Sequence, residues 1–260
     1  MSERRGIANL RCSRRTMALQ VLAVGASTLV GAKTPAHACE LRGQSLDAAL
    51  RGASVFAIQG DAALVMTSGN PEFDKALGRQ LVRLSRTFGI RPGFAFVDDA
   101  PHPNAAASPE TRLPGTRGTV LFGLMLLKSL LDGGSGADVA VLGICAHEFA
   151  HIHQFQTGYG RDLSVGRSTG KLVELHADFL AGYFVGQLKL ERPTITLKFF
   201  GKKLYGMGSY NSSSPDFHGT PAERLSAAEA GAAFASSKSA FADISQAGVR
   251  HVLDKFGRES

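Results

Sequence analysis

Cys145-Ala146-His147-Glu148-Phe149-Ala150-His151 is the stretch on which the reading of this chain turns, together with Glu174-Leu175-His176-Ala177-Asp178 further along. Two histidines four apart on a helix lie one turn above each other on one face, so both imidazoles can reach one metal ion. Glu148 follows the first histidine and projects near the same edge, where it can hold and deprotonate a water at that metal without being a ligand. Val139 to Ile144 is apolar nearly all round, which predicts a buried helix. Burying Glu148 and two imidazoles without partners would cost several kcal/mol, whereas a metal satisfies all three.

The second stretch supplies what the first lacks. Helical patterning runs from Lys171 to Leu190 and places Asp178 one turn beyond Glu174 on the same face. A three-ligand site follows, with His147, His151 and Glu174 on the metal, Asp178 orienting a ligand histidine, and a fourth position left to water. His153 and His176 each stand two residues from a proposed ligand, a rotation of about 200° on a helix, and are expected to face elsewhere.

H-E-x-x-H followed by E-x-x-A-D resembles the gluzincin arrangement of zinc metallopeptidases. The closest likeness is to the peptidases typified by the CaaX prenyl endopeptidases and their soluble periplasmic relatives. Further segments agree with it. Pro103-Asn104-Ala105-Ala106 resembles the family's Asn-Ala segment, and Gly118-Thr119-Val120-Leu121-Phe122 resembles the strand before its active-site helix. His218-Gly219-Thr220-Pro221-Ala222-Glu223-Arg224 resembles its His-Pro-to-Arg segment, with Gly219 where the family has proline. The resemblance implies a zincin-like fold, α+β and predominantly helical, with a small sheet beside the active-site helix. It implies one Zn2+ per chain, Glu148 and His218 as catalytic residues, and Asn104 and Arg224 as substrate-binding residues.

Composition bounds the alternatives. With 260 residues, 44% hydrophobic and 20% charged, the chain suits one globular domain with a sizeable core. The formal charge of +7 is concentrated at the start, because residues 1–38 hold six of the 29 basic residues and one of the 22 acidic ones, leaving only +2 beyond. No basic stripe interleaved with aromatics appears, so nucleic acid is not an expected partner. That first segment reads as an export signal. Ser13-Arg14-Arg15-Thr16-Met17 resembles a twin-arginine pattern, Leu19 to Ala32 is weakly apolar, and Ala36-His37-Ala38 offers small residues for cleavage. The expected organisation is therefore a signal over 1–38 and a single metallopeptidase domain over 39–260. The expected location is periplasmic or secreted. Contact with a membrane would come only through an uncleaved signal or a lipid on Cys39. A disulfide between Cys39 and Cys145 is a second possibility for that residue.

The remaining patterns are structural. Residues 40–88 read as helical with a break at Gly69-Asn70-Pro71, and Gly93 to Asp98 alternates as a strand. Asp99 to Pro114 reads as a loop containing Asn104. Thr119–Phe122 reads as a second strand whose free edge could receive an extended peptide. The active-site helix is expected over 136–157, begun near Ser135 and ended by Gly158, with a glycine-rich loop over 158–170. Phe199 to Pro215 reads as a glycine-rich segment in which Tyr205 and Tyr210 could stabilise an oxyanion, and helices over 221–236 and 238–256 close the chain. These expectations converge on a zinc-dependent endopeptidase of the cell envelope acting on peptide or protein substrates. The alternative is a non-catalytic or latent scaffold of the same type that binds an envelope client.

Overall fold

In the computed structural model, which describes residues 62–196, 201, 210–211 and 217–257, the first helix is fixed by its own caps. Helix α1 (Pro71–Phe88) begins where the Asn70 side chain accepts the Phe73 N–H, with proline in the first turn, and ends at left-handed Gly89. The helical pattern expected before it does not hold over 62–70. There Val65 forms an antiparallel bridge to Phe96, and the Asp74 carboxylate accepts the Ser68 N–H, holding the approach to α1 in a turn. The expected signal over 1–38, Cys39, and the expected helical stretch over 40–61 lie outside the described residues.

Three short strands follow: β1 (Gly93–Val97), β2 (Ala105–Ser108) and β3 (Thr119–Gly123). The sheet order is β1-β3-β2, with β1 parallel and β2 antiparallel to β3. Two expectations are corrected here. Ala105–Ser108 is a strand rather than loop; its Ala-Ala-Ala-Ser run has neither strong strand propensity nor alternation, because all four residues are buried. Consequently β3 is the central strand and has no free edge for a peptide. Among the described residues the strand with a single strand partner beside the helical layer is β2.

Helix α2 (Leu124–Leu131) leads into α3 (Ala137–Thr157), which carries the metal motif. The start of α3 differs from expectation: left-handed Gly136, not Ser135, precedes it, with no side-chain cap. Its end agrees, since the N–H of left-handed Gly158 bonds to the Gln154 carbonyl. A short helix α4 (Tyr159–Ser164) replaces part of the expected loop, closed over buried Leu163. Helices α5 (Lys171–Glu191), α6 (Pro221–Ala233) and α7 (Phe241–Phe256) complete the described structure. The result is predominantly helical with one small three-stranded sheet, an α+β architecture.

Helix α3 packs against β2, α1, α2 and α5, so every residue from Val139 to Gln154 is buried. That enclosure explains why its sequence is apolar nearly all round. Phe88, Phe122, Phe149, Phe179 and Phe184 fill the main core around it. A smaller cluster of Leu163, Leu172, Leu175, Ala227, Val252 and Phe256 joins α4 through α7. Cys145 is fully buried in the main core. No helix among the described residues is long and apolar enough to cross a membrane.

Candidate metal centre

The two central helices bring three donors together. His147 and His151, one turn apart on α3, place their Nε2 atoms 3.0 Å from each other. Glu174, in the first turn of α5, sets one carboxylate oxygen 3.4 Å from His147 Nε2 and the other 3.4 Å from His151 Nε2. All three side chains are buried, and together they form a group able to hold a metal ion. Two ring nitrogens and a carboxylate converging in a dry interior are the donor set that a cation satisfies.

Glu148 stands next to this group with a specific deficit. Its Oε2 atom is buried and has no hydrogen-bond partner within the protein. Burial first, with the Glu174 charge adding to it, pushes the Glu148 carboxyl up to about 7 against the pull of His147.

Charges below the triad hold it in place. Asp178, one turn after Glu174, brings Oδ1 to 2.9 Å from His147 Nδ1, although the ring N–H is not aimed squarely at that oxygen. Arg224 from the first turn of α6 donates from Nε to Asp178 Oδ2 at 2.7 Å and from Nη2 to Oδ1 at 2.9 Å. Its Nη2 is also 3.7 Å from Glu174. Burial opposes the negative charge on Asp178, but Arg224 and His147 override it and hold the carboxyl below its ordinary value. Burial likewise opposes ionisation of Glu174, and His218, His151 and His147 around it hold that carboxyl well below the usual range. Burial disfavours a charged His147, yet Asp178 and Glu174 raise it to about 10; burial dominates at His151 and lowers it to about 4.

His218 brings Nδ1 to 3.1 Å from Glu174 Oε2, and its side chain remains 26% exposed, at the lip of the group. The next residue, Gly219, has φ +97°, which proline with φ fixed near −65° cannot adopt. A proline at position 219 would therefore need a different backbone here. Asn104 immediately precedes β2; its carbonyl accepts the Gly123 N–H, and its own N–H bonds to Asp99 Oδ2 at 2.9 Å. Tyr210 exposes its ring, and Tyr205 lies outside the described residues.

His153 and His176 lie outside the triad. His153 Nε2 is 2.9 Å from Ser245 Oγ, and His176 Nε2 is 3.0 Å from the Ser245 carbonyl on α7. Burial lowers His153 to about 4 and, aided by its histidine neighbours, lowers His176 to about 3. One participant was invisible to motif reading. Gln154 is fully buried, and its Oε1 is 2.8 Å from His151 Nδ1. Its position three residues after His151, on the same helical face, was the available signal.

A scan against protein-family models and searches of curated proteins and of solved structures found no match to this chain.

Proposed function

We propose that this chain is a zinc-dependent endopeptidase of the gluzincin type, exported to the cell envelope, with a zincin-like fold. The observation that carries the reading is the convergence of His147, His151 and Glu174 beside the partnerless Glu148 Oε2. Donors 2.0–2.1 Å from a tetrahedral zinc stand about 3.3–3.4 Å apart. His147 Nε2 and His151 Nε2, 3.0 Å apart, stand slightly inside that edge, and each lies 3.4 Å from a different oxygen of Glu174, so the three side chains are within reach of one cation. Two histidines and one carboxylate form a three-ligand set, which leaves room for a reactant, whereas structural zinc sites use four protein ligands and abundant cysteine.

His147, His151 and Glu174 would hold the zinc, which would supply a Lewis acid for a carbonyl and for water near neutral pH. Glu148, buried beside these ligands with Oε2 unpartnered, would accept the proton of the attacking water and return it to the departing amine nitrogen. The Asp178 carboxylate, 2.9 Å from His147 Nδ1, favours the ring proton on that nitrogen and so leaves Nε2 to coordinate. His218, partly exposed beside Glu174, is placed to donate to an oxyanion at the lip of the site. Arg224 is committed to Asp178 and Glu174, so we assign it to holding their charge rather than to touching substrate. Asn104, immediately before β2, is the proposed substrate contact. Export rests on the pattern of residues 1–38, and the substrate is an internal peptide bond of a protein or peptide.

The test begins with zinc content of the chain from Cys39 onward, expected at about one ion per chain. Absence of zinc after reconstitution would remove the metal centre. Glu148→Gln is expected to retain zinc and lose hydrolysis of a denatured protein substrate, and retained hydrolysis would reject Glu148 as the base. Glu174→Ala is expected to lose zinc on dialysis, and unchanged zinc content would reject it as a ligand.

A further inference from the structure

We infer that Gln154 is the positioning residue for His151, and that two main-chain carbonyls, of Val173 and Ser245, dictate the proton positions of the network through which it acts. The inference rests on the metal centre proposed above. The two carbonyls can only accept. Gln154 Nε2 lies 2.8 Å from the Val173 carbonyl, so that atom must be the amide nitrogen, and Oε1 must be the atom facing His151 Nδ1. An amide oxygen also only accepts. His151 Nδ1 therefore carries the proton, and its Nε2 lone pair points to His147 Nε2 and Glu174.

The second amide proton of Gln154 is directed to His176 Nδ1 at 3.0 Å. That ring nitrogen must accept, so the His176 proton sits on Nε2, where it bonds to the Ser245 carbonyl at 3.0 Å. The relay from α7 to the metal ligand has one consistent set of proton positions. If the Gln154 amide were reversed, it would donate to His151 Nδ1 and move that ring's proton to Nε2, where no metal could bind. Gln154 thus does for His151 what Asp178 does for His147, with a neutral acceptor in place of a charged one.

Two measurements on the full-length, zinc-loaded chain test this. Histidine-selective 15N NMR of the wild type is expected to show His176 protonated on Nε2 and bare on Nδ1; a proton on Nδ1 would overturn the relay. This readout requires no variant and no activity. In parallel, zinc affinity by chelator competition and the visible bands of the cobalt-substituted protein are compared in Gln154→Leu and Gln154→Glu. Gln154→Leu is expected to weaken zinc by about ten- to a hundredfold and to shift the cobalt bands. Gln154→Glu keeps, as the neutral acid, an acceptor toward His151 and one donor, and is expected to recover most of the affinity. Wild-type affinity and unchanged bands in folded Gln154→Leu would overturn the role of Gln154. A wild type that binds no zinc would instead overturn the metal centre, and the His176 tautomer would still be readable.

Discussion

The charge beneath the centre is decided by one pair, Asp178 and Arg224. Both are buried, and the guanidinium spans both carboxylate oxygens. Removing one partner of such a pair leaves the other without compensation in a dry interior. Arg224→Met is therefore expected to cost about 3–5 kcal/mol in urea unfolding with chelator present. Affinity at the proposed zinc site should fall as well, because the carboxylate beside His147 Nδ1 loses the guanidinium that fixes its position. Adding Asp178→Leu should restore much of the stability without restoring the affinity. Additive losses in the double variant would show that the two groups do not act as a pair. At this scale the sequence was most informative. The grouping of His147, His151 and Glu174 was legible because one-turn spacing on a helix puts the two imidazoles on one face and the acidic stretch follows on a second helix. Gln154 was not, because glutamine has no chemistry of its own to draw notice, and its value lies in donor and acceptor directions that only the packed helices define.

Among the elements, the sheet was read least well, and Asp99 shows why. Its buried carboxylate accepts the backbone N–H groups of Met125 at 2.7 Å, Leu126 at 3.1 Å and Asn104 at 2.9 Å. One side chain from the loop after β1 thus caps α2, which has no side-chain cap at its own Gly123, and also pins the start of β2. Local pattern cannot reveal a cap supplied from more than twenty positions away. The same distance effect hid β2, whose alanines earn their place by fitting between β3 and α3 rather than by propensity. Asp99→Ala is expected to cost about 2–4 kcal/mol, above the roughly 1 kcal/mol of an ordinary cap, because three donors lose their acceptor. Gly123→Ala should match it, since a Cβ there would lie 1.7 Å from Asp99 Oδ2 and 2.6 Å from the Asn104 carbonyl. Thermal melts of both variants decide the point; a loss below about 1 kcal/mol in Asp99→Ala would reduce it to a surface cap.

For the molecule as a whole, the site depends on how closely α6 can approach α5. Their contact is the most extensive between any two of the described elements, and glycines open it from both sides. A Cβ on Gly182 of α5 would meet the Ala228 carbonyl at 2.0 Å, and one on Gly231 of α6 would meet the Phe179 carbonyl at 1.8 Å. Both obstacles are backbone, which cannot swing aside as a side chain can, so an added methyl must move a helix. Arg224 lies seven residues before Gly231, two turns along the same face of α6, and reaches Asp178 on α5 across this contact. Separation of the helices would therefore draw the guanidinium away from the charge it holds. Gly231→Ala is expected to cost about 1–3 kcal/mol through overpacking, and also to weaken binding at the proposed zinc site although no proposed ligand has changed. Gly78→Ala in α1 is the matched control: no atom lies within 4 Å of its added Cβ, so helix propensity alone acts and stability should rise by about 0.5–1 kcal/mol. Zinc affinity measured beside the urea midpoint separates the two effects. A destabilised Gly231→Ala that binds zinc as tightly as the wild type would show that the α5–α6 contact supports the fold without tuning the centre, whereas a joint loss would make helix separation the variable that governs metal retention.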